Sequence, residues 1–114
     1  MEKLVEQALL FDFYGELLTE HQRQVYEDVV LNDYSLSEVA ADLGISRQGV
    51  HDLIKRCDKI LKDYEAKLHL VAKFMKIKEM AGELERLSDE CIRTRDMALI
   101  DQIRRLSAEI TSTL

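Results

Sequence analysis

The sequence has no proline and no tryptophan, and its 114 residues include only four glycines, two cysteines and three histidines. Without proline no helix is forced to break, so segment ends must be read from caps and glycines. Cys57 and Cys91 lack a CxxC pattern and a histidine at ligand spacing, and both fall on apolar helix stripes. They read as reduced core or interface thiols rather than a disulfide or metal pair. His21, His51 and His69 are scattered, and no zinc site, phosphate loop or nucleophile motif can be assembled from them. The chain is therefore not expected to be an enzyme or to hold a cofactor. No apolar run approaches the roughly 18 residues of a membrane helix. The start, MEKLVEQ, lacks a basic region followed by a hydrophobic stretch. A cytoplasmic protein without membrane insertion is the expectation.

What is present is a helical composition, 46% hydrophobic and 33% charged, with a net charge of −6. That balance suits a soluble globular or coiled-coil chain rather than a disordered one. An acidic excess opposes nucleic-acid binding until it is divided along the chain. Residues 1–44 hold ten acidic and two basic side chains, residues 45–62 two and five, and residues 63–114 ten and nine. Positive charge is thus concentrated in one short segment, which can dock a phosphate backbone while the acidic remainder weakens non-specific binding.

That segment lies in the run LSEVAADLGISRQGVHDLIKR, Leu36 to Arg56. Ala40 supplies the small residue where two short helices cross, and Gly44 sits where the chain must reverse with a positive φ. Ile45 is expected to plug the angle between the helices. Ser46 is an N-cap whose hydroxyl can accept from the N–H of Gln48 or Gly49. Val50, Leu53 and Ile54 would bury the second helix, leaving Arg47, Gln48, His51, Lys55 and Arg56 outside. These are residue types that reach phosphates and base edges in a major groove. Asp52, beside His51, can accept from a cytosine amino group, cap a neighbouring basic side chain or weaken DNA affinity.

Around this helix-turn-helix the rest reads as helix. Leu4 to Leu18 is apolar enough for one well-buried helix or two short ones meeting near Gly15. Thr19 with Gln22, and Ser35 with Glu38, are capping boxes. The first opens a helix with Val25, Tyr26, Val29 and Val30 inward. The helix from Ser46 is uninterrupted past Tyr64, with a bend at Leu68, His69 and Leu70. A stripe then runs Phe74, Ile77, Ala81, Leu84, Leu87 and Cys91. Another, after an Asp96 cap, runs Leu99, Ile103, Leu106 and Ile110. These narrow stripes, close to a 3.5 repeat, suit packing on other long helices, and a homodimer buries them best. The predicted fold is all-α: a helix-turn-helix domain over residues 1–66 and a helical extension over 67–114 that serves dimerisation.

From Leu18 to Leu61 the chain resembles the fourth region of sigma-70-type factors, through LTEHQR and the helix-turn-helix itself. A sigma factor needs a second domain for promoter melting, and 114 residues with a helical tail leave no room for one. More closely, the whole chain resembles the YlxM-like family of small bacterial proteins, through FDFYGELLT, SRQGVHDLIKR and LKDYEAKLHLV. That resemblance implies a DNA-binding-type fold of the winged-helix-like superfamily and a link to the signal recognition particle pathway. The expected function is regulatory binding of double-stranded DNA. Ser46, Arg47 and Gln48 would meet the backbone and a base edge, and His51, Lys55 and Arg56 the groove wall and phosphates. The alternative is an accessory protein that binds the particle's GTPase or RNA.

Overall fold

The computed structural model describes residues 2–114. Helix α1 (Lys3–Tyr14) runs into a 3-10 turn (Gly15–Leu17), then α2 (Glu20–Tyr26) and a π-helical turn (Glu27–Leu31). Helices α3 (Leu36–Leu43), α4 (Arg47–Leu68), α5 (Leu70–Thr94) and α6 (Ala98–Thr113) complete the chain. No strand occurs among the described residues. The chain divides into two compact units, the first running to Val71 and the second from Ala72 to Leu114.

In the first unit the organising element is α4. Its Val50, Ile54, Cys57 and Leu61 recur at spacings of four, three and four, so they form one buried stripe. Leu10 and Tyr14 of α1, Val25 and Tyr26 of α2 and Val39 and Ala40 of α3 are the other buried side chains of these helices. Two tyrosines fix the long helix. Tyr26, its ring stacked on Phe11 at 5.7 Å, donates to Asp58 Oδ1 at 2.6 Å. Gln7 Nε2 donates to the same carboxylate at 3.1 and 3.3 Å. One heptad later Tyr14 stacks on Tyr64 and donates to Glu65 Oε1 at 2.6 Å.

The expected capping box at Thr19 and Gln22 is complete, whereas Ser35 makes only the serine half, accepting from the Glu38 N–H. The N-terminal segment is one helix followed by the Gly15 turn, and a single face of it is buried. Leu4, Val5 and Leu17, expected in a well-buried helix, are exposed. A Cβ on Gly15 would lie 3.0 Å from the Phe11 ring, so a larger residue there requires that ring to shift. Val29 and Val30, expected inward, are half-buried because the π turn adds a residue per turn and rotates them off the α2 face. Leu53 is also half-buried, at the edge of the α4 stripe.

The bend expected after Tyr64 is a single residue. His69 adopts φ 57°, ψ 25° and closes α4 with its N–H on Glu65 O at 2.9 Å. The next two amides then find side chains: Leu70 N–H donates to Tyr14 Oη at 3.1 Å and Val71 N–H to Glu65 Oε1 at 2.9 Å. Hence the first compact unit reaches Val71, with the start of α5 bonded into it.

In the second unit α5 ends at Arg95, which has φ 58° and donates its N–H to Cys91 O at 2.7 Å. Asp96 Oδ1 then accepts from Ala98 N–H at 3.0 Å, the capping role expected of it, although the helix begins one residue beyond Met97. Met80 and Leu87 of α5 are buried, but α6 buries no residue. Its Leu99, Ile103, Leu106 and Ile110 are half-exposed.

The buried groups also set an alkaline limit. Burial first, then the bond to Asp58, raises the Tyr26 phenol well above its ordinary range, and burial followed by Glu65 raises Tyr14. Burial, then the Asp58 charge, pushes the Cys57 thiol from 9.0 up to about 11. All three hold protons that the unfolded chain gives up first. Their stabilisation is complete below the unfolded values and is lost as pH rises through the folded ones. The denaturant midpoint should therefore fall between about pH 9 and about pH 11. The fall should be shallower in Cys57→Ala, and a midpoint flat across that window would contradict the assignment.

Candidate nucleic-acid interface

Helices α3 and α4 meet through a tight turn whose backbone is closed by hydrogen bonds. Gly44, at φ 69° and ψ 30°, donates its N–H to Ala40 O, and Ile45 N–H reaches the same carbonyl at 3.1 Å. This is a Schellman-type stop, with Ala40 buried at the crossing as expected. Ile45 does not plug the angle: its side chain is 44% exposed and lies against Gly49, and its amide makes the closure instead. Ser46 is the N-cap, accepting from Gly49 N–H at 3.0 Å.

The turn aims the first two turns of α4 outward. Arg47 and Gln48 are exposed, and no acidic residue stands in the first turn, so the positive end of the helix is left unopposed. His51 is half-exposed; its Nδ1 is buried without a hydrogen-bond partner and lies 3.9 Å from Asp52 Oδ1, beyond bonding distance. Lys55 and Arg56 are exposed one turn on.

These six side chains do not form one patch. Arg47, Gln48 and His51 line a shallow cleft of about 430 Å³ together with Leu36 from the start of α3. Lys55 faces a separate cleft. Arg56, nine residues after Arg47, stands about 180° round the helix from it, on the opposite flank. Asp52 takes a role not among those expected from the sequence: it accepts from the amide of Gln48 at 2.9 Å rather than capping a basic side chain. With its amide nitrogen held so, Gln48 keeps its carbonyl oxygen as an acceptor, and Asp52 keeps its second oxygen. The pair offers acceptors, which suit the amino groups of cytosine or adenine. The four-residue spacing of Gln48 and Asp52 could have signalled this bond, whereas nothing in the local sequence pointed to Leu36.

Among the described residues no group of histidine, cysteine, aspartate and glutamate could hold a metal ion, and no helix is long and apolar enough to cross a membrane. Residues 1–108 match the family model described as "Putative helix-turn-helix protein, YlxM / p13 like". A UPF0122 protein of Caldanaerobacter subterraneus subsp. tengcongensis is 51% identical over 85 residues, 75% of this chain and 69% of its own. One from Halalkalibacterium halodurans is 40% identical over 107 residues, covering 93% of this chain and 98% of its own. A Streptococcus thermophilus relative is 38% identical over 104 residues, or 90% and 94% of the two chains.

The turn itself can be tested by one substitution made twice. Gly44→Ala forces a side chain into a left-handed conformation and should cost about 1–2 kcal/mol. Gly82→Ala, in the interior of α5 with nothing within 4 Å of the new methyl, should instead stabilise by up to about 1 kcal/mol. Denaturant titrations in which both changes have the same sign would contradict the placement of the turn.

Proposed function

The chain belongs to the YlxM/p13-like helix-turn-helix family, and on that premise we propose that it is a regulatory protein that binds double-stranded DNA through α4 as a homodimer. The observation that carries this reading is the exposed N-terminal half of α4, basic, free of acidic residues in its first turn and held outward by the Gly44 turn. Ser46, Arg47 and Gln48 contact the backbone and a base edge. Because Arg47 and Arg56 stand on opposite flanks, they reach the two strands that border the groove. His51 and Lys55 lie between them against the groove wall. The protein is read as non-enzymatic and cytoplasmic.

The homodimer is supported by the second unit, in which the stripe of α6 and Ile77 and Leu84 of α5 remain incompletely covered. Leu87, also expected at the interface, is already buried within the single chain. Completing the burial of one such side chain is worth up to about 1.5–3 kcal/mol. Full-length protein should scatter light as twice the chain mass at micromolar concentration, and Ile103→Glu should return it to the monomer. A wild-type monomer would remove the dimer from the proposal.

Duplex binding separates two kinds of contact. Arg47→Ala and Arg56→Ala should each flatten the slope of log K against log salt by about 0.9 on every sequence. Gln48→Ala should cost about 1–3 kcal/mol at a preferred site only. Asp52→Ala removes a carboxylate from the groove face and should tighten binding at low salt. Gel shifts over a salt series measure all four. A protein that ignores duplex DNA but retains the signal recognition particle's RNA or GTPase would replace this reading with the accessory one.

A further inference from the structure

Beyond Arg56 helix α4 continues to Leu68, longer than base reading requires. Lys55, Lys59 and Lys62 are spaced four and three residues apart and therefore share one exposed face. They prolong the line of Gln48 and Asp52, giving one row from the base-reading end to the middle of the helix. Lys3, at the start of α1, joins them. With Asp58 and Asp63 these four lysines line a cleft of about 440 Å³.

The two carboxylates leave half of that charge uncompensated. Asp58 is turned inward, its oxygens taken by Tyr26 and Gln7. Asp63 pairs with Lys59 at 2.9 Å, but both side chains are exposed, so the pair is weak and leaves Lys59 open to a stronger anion. Lys3, Lys55 and Lys62 make no ion pair among the described residues. Gathering four ammonium groups costs repulsion, and a cation at the first position of α1 is opposed by the helix dipole as well. Neither arrangement is explained by the stability of the fold. A bound anion would relieve both.

The row itself indicates which anion. At 1.5 Å per residue, Lys59 and Lys62 lie about 16 and 21 Å beyond Gln48 along α4. The major groove is about 8.5 Å deep. A helix that enters it N-terminus first has left the groove at Lys59 and lies over the sugar-phosphate backbone. We propose that Lys3, Lys59 and Lys62 form a second phosphate-binding site, which takes phosphodiester groups of the strand bordering the groove entered by the N-terminal turn of α4. The proposal rests on the DNA-binding reading above and extends its footprint along α4.

The test uses the full chain, with Lys59→Gln/Lys62→Gln and Lys3→Gln compared with wild type on a random-sequence duplex across a salt series. The double variant should lose about 1.8 from the slope of log K against log salt and Lys3→Gln about 0.9, equally on any duplex. Lys59→Arg/Lys62→Arg should keep the wild-type slope, and thermal unfolding midpoints no lower than wild type should accompany the Gln variants. If the double variant keeps the wild-type slope and affinity while Arg47→Ala flattens the slope, the second site is wrong and the DNA-binding reading stands. Wild-type protein that binds no duplex at low salt overturns both. Saturable calorimetric binding of inorganic phosphate, abolished in the double variant while its duplex slope stays at wild type, would assign the cleft to a small anion and overturn the proposal.

Discussion

The orientation of α4 depends on two tyrosine–carboxylate hydrogen bonds seven residues apart. Tyr26 with Asp58 and Tyr14 with Glu65 lie alongside the stripe of Val50, Ile54, Cys57 and Leu61. An apolar stripe alone resists rotation of a helix weakly, because neighbouring side chains can repack with little loss. A short bond from a buried phenol to a carboxylate is directional, and breaking it leaves a polar group unsatisfied at a cost of about 1–3 kcal/mol. Two such bonds fix both rotation and axial position. The face that carries Arg47, Gln48, Lys55 and Lys59 is exposed because the opposite face is held.

The same bonds also distribute charge. Asp58 is drawn inward by Tyr26 and Gln7, so it does not pair with the lysines beside it, and the cleft at Lys3, Lys55, Lys59 and Lys62 keeps its positive field. Glu65 is turned to the α4–α5 junction, where with Tyr14 it satisfies the first amides of α5. Two acidic residues on a basic helix are thereby taken away from its exposed basic face. Asp52 and Asp63 are the exceptions: both stay on the exposed face, Asp63 paired with Lys59 and Asp52 holding the Gln48 amide, and each lowers the local positive potential.

Much of the fold was legible in the residues. The Gly44 turn, the Ser46 and Thr19 caps, the continuous helix past Tyr64 and the stop near His69 are local events, set by dihedral preference and by side chains within four positions of the groups they satisfy. The errors cluster where burial depends on distant partners. Ile45 stays exposed because its amide, not its side chain, closes the turn. Leu4 and Val5 have no element laid over them. The π turn after Tyr26 had no signal in the spacing of Val29 and Val30, since apolar periodicity does not distinguish a continuous α-helix from one that takes an extra residue.

The sequence by itself determined that α3 and α4 form a helix-turn-helix and that Ser46, Arg47, Gln48, His51, Lys55 and Arg56 belong to its second helix. Each depends on helical spacing and capping chemistry, which operate within a turn or two of chain. Only the tertiary structure decided that Arg47, Gln48 and His51 share a cleft with Leu36, and that Lys3 joins the lysines of α4. Those pairings join residues from different helices. They are set by the burial of α4 and the reach of Tyr14 and Tyr26 across more than thirty positions of sequence. No local pattern encodes a contact of that range.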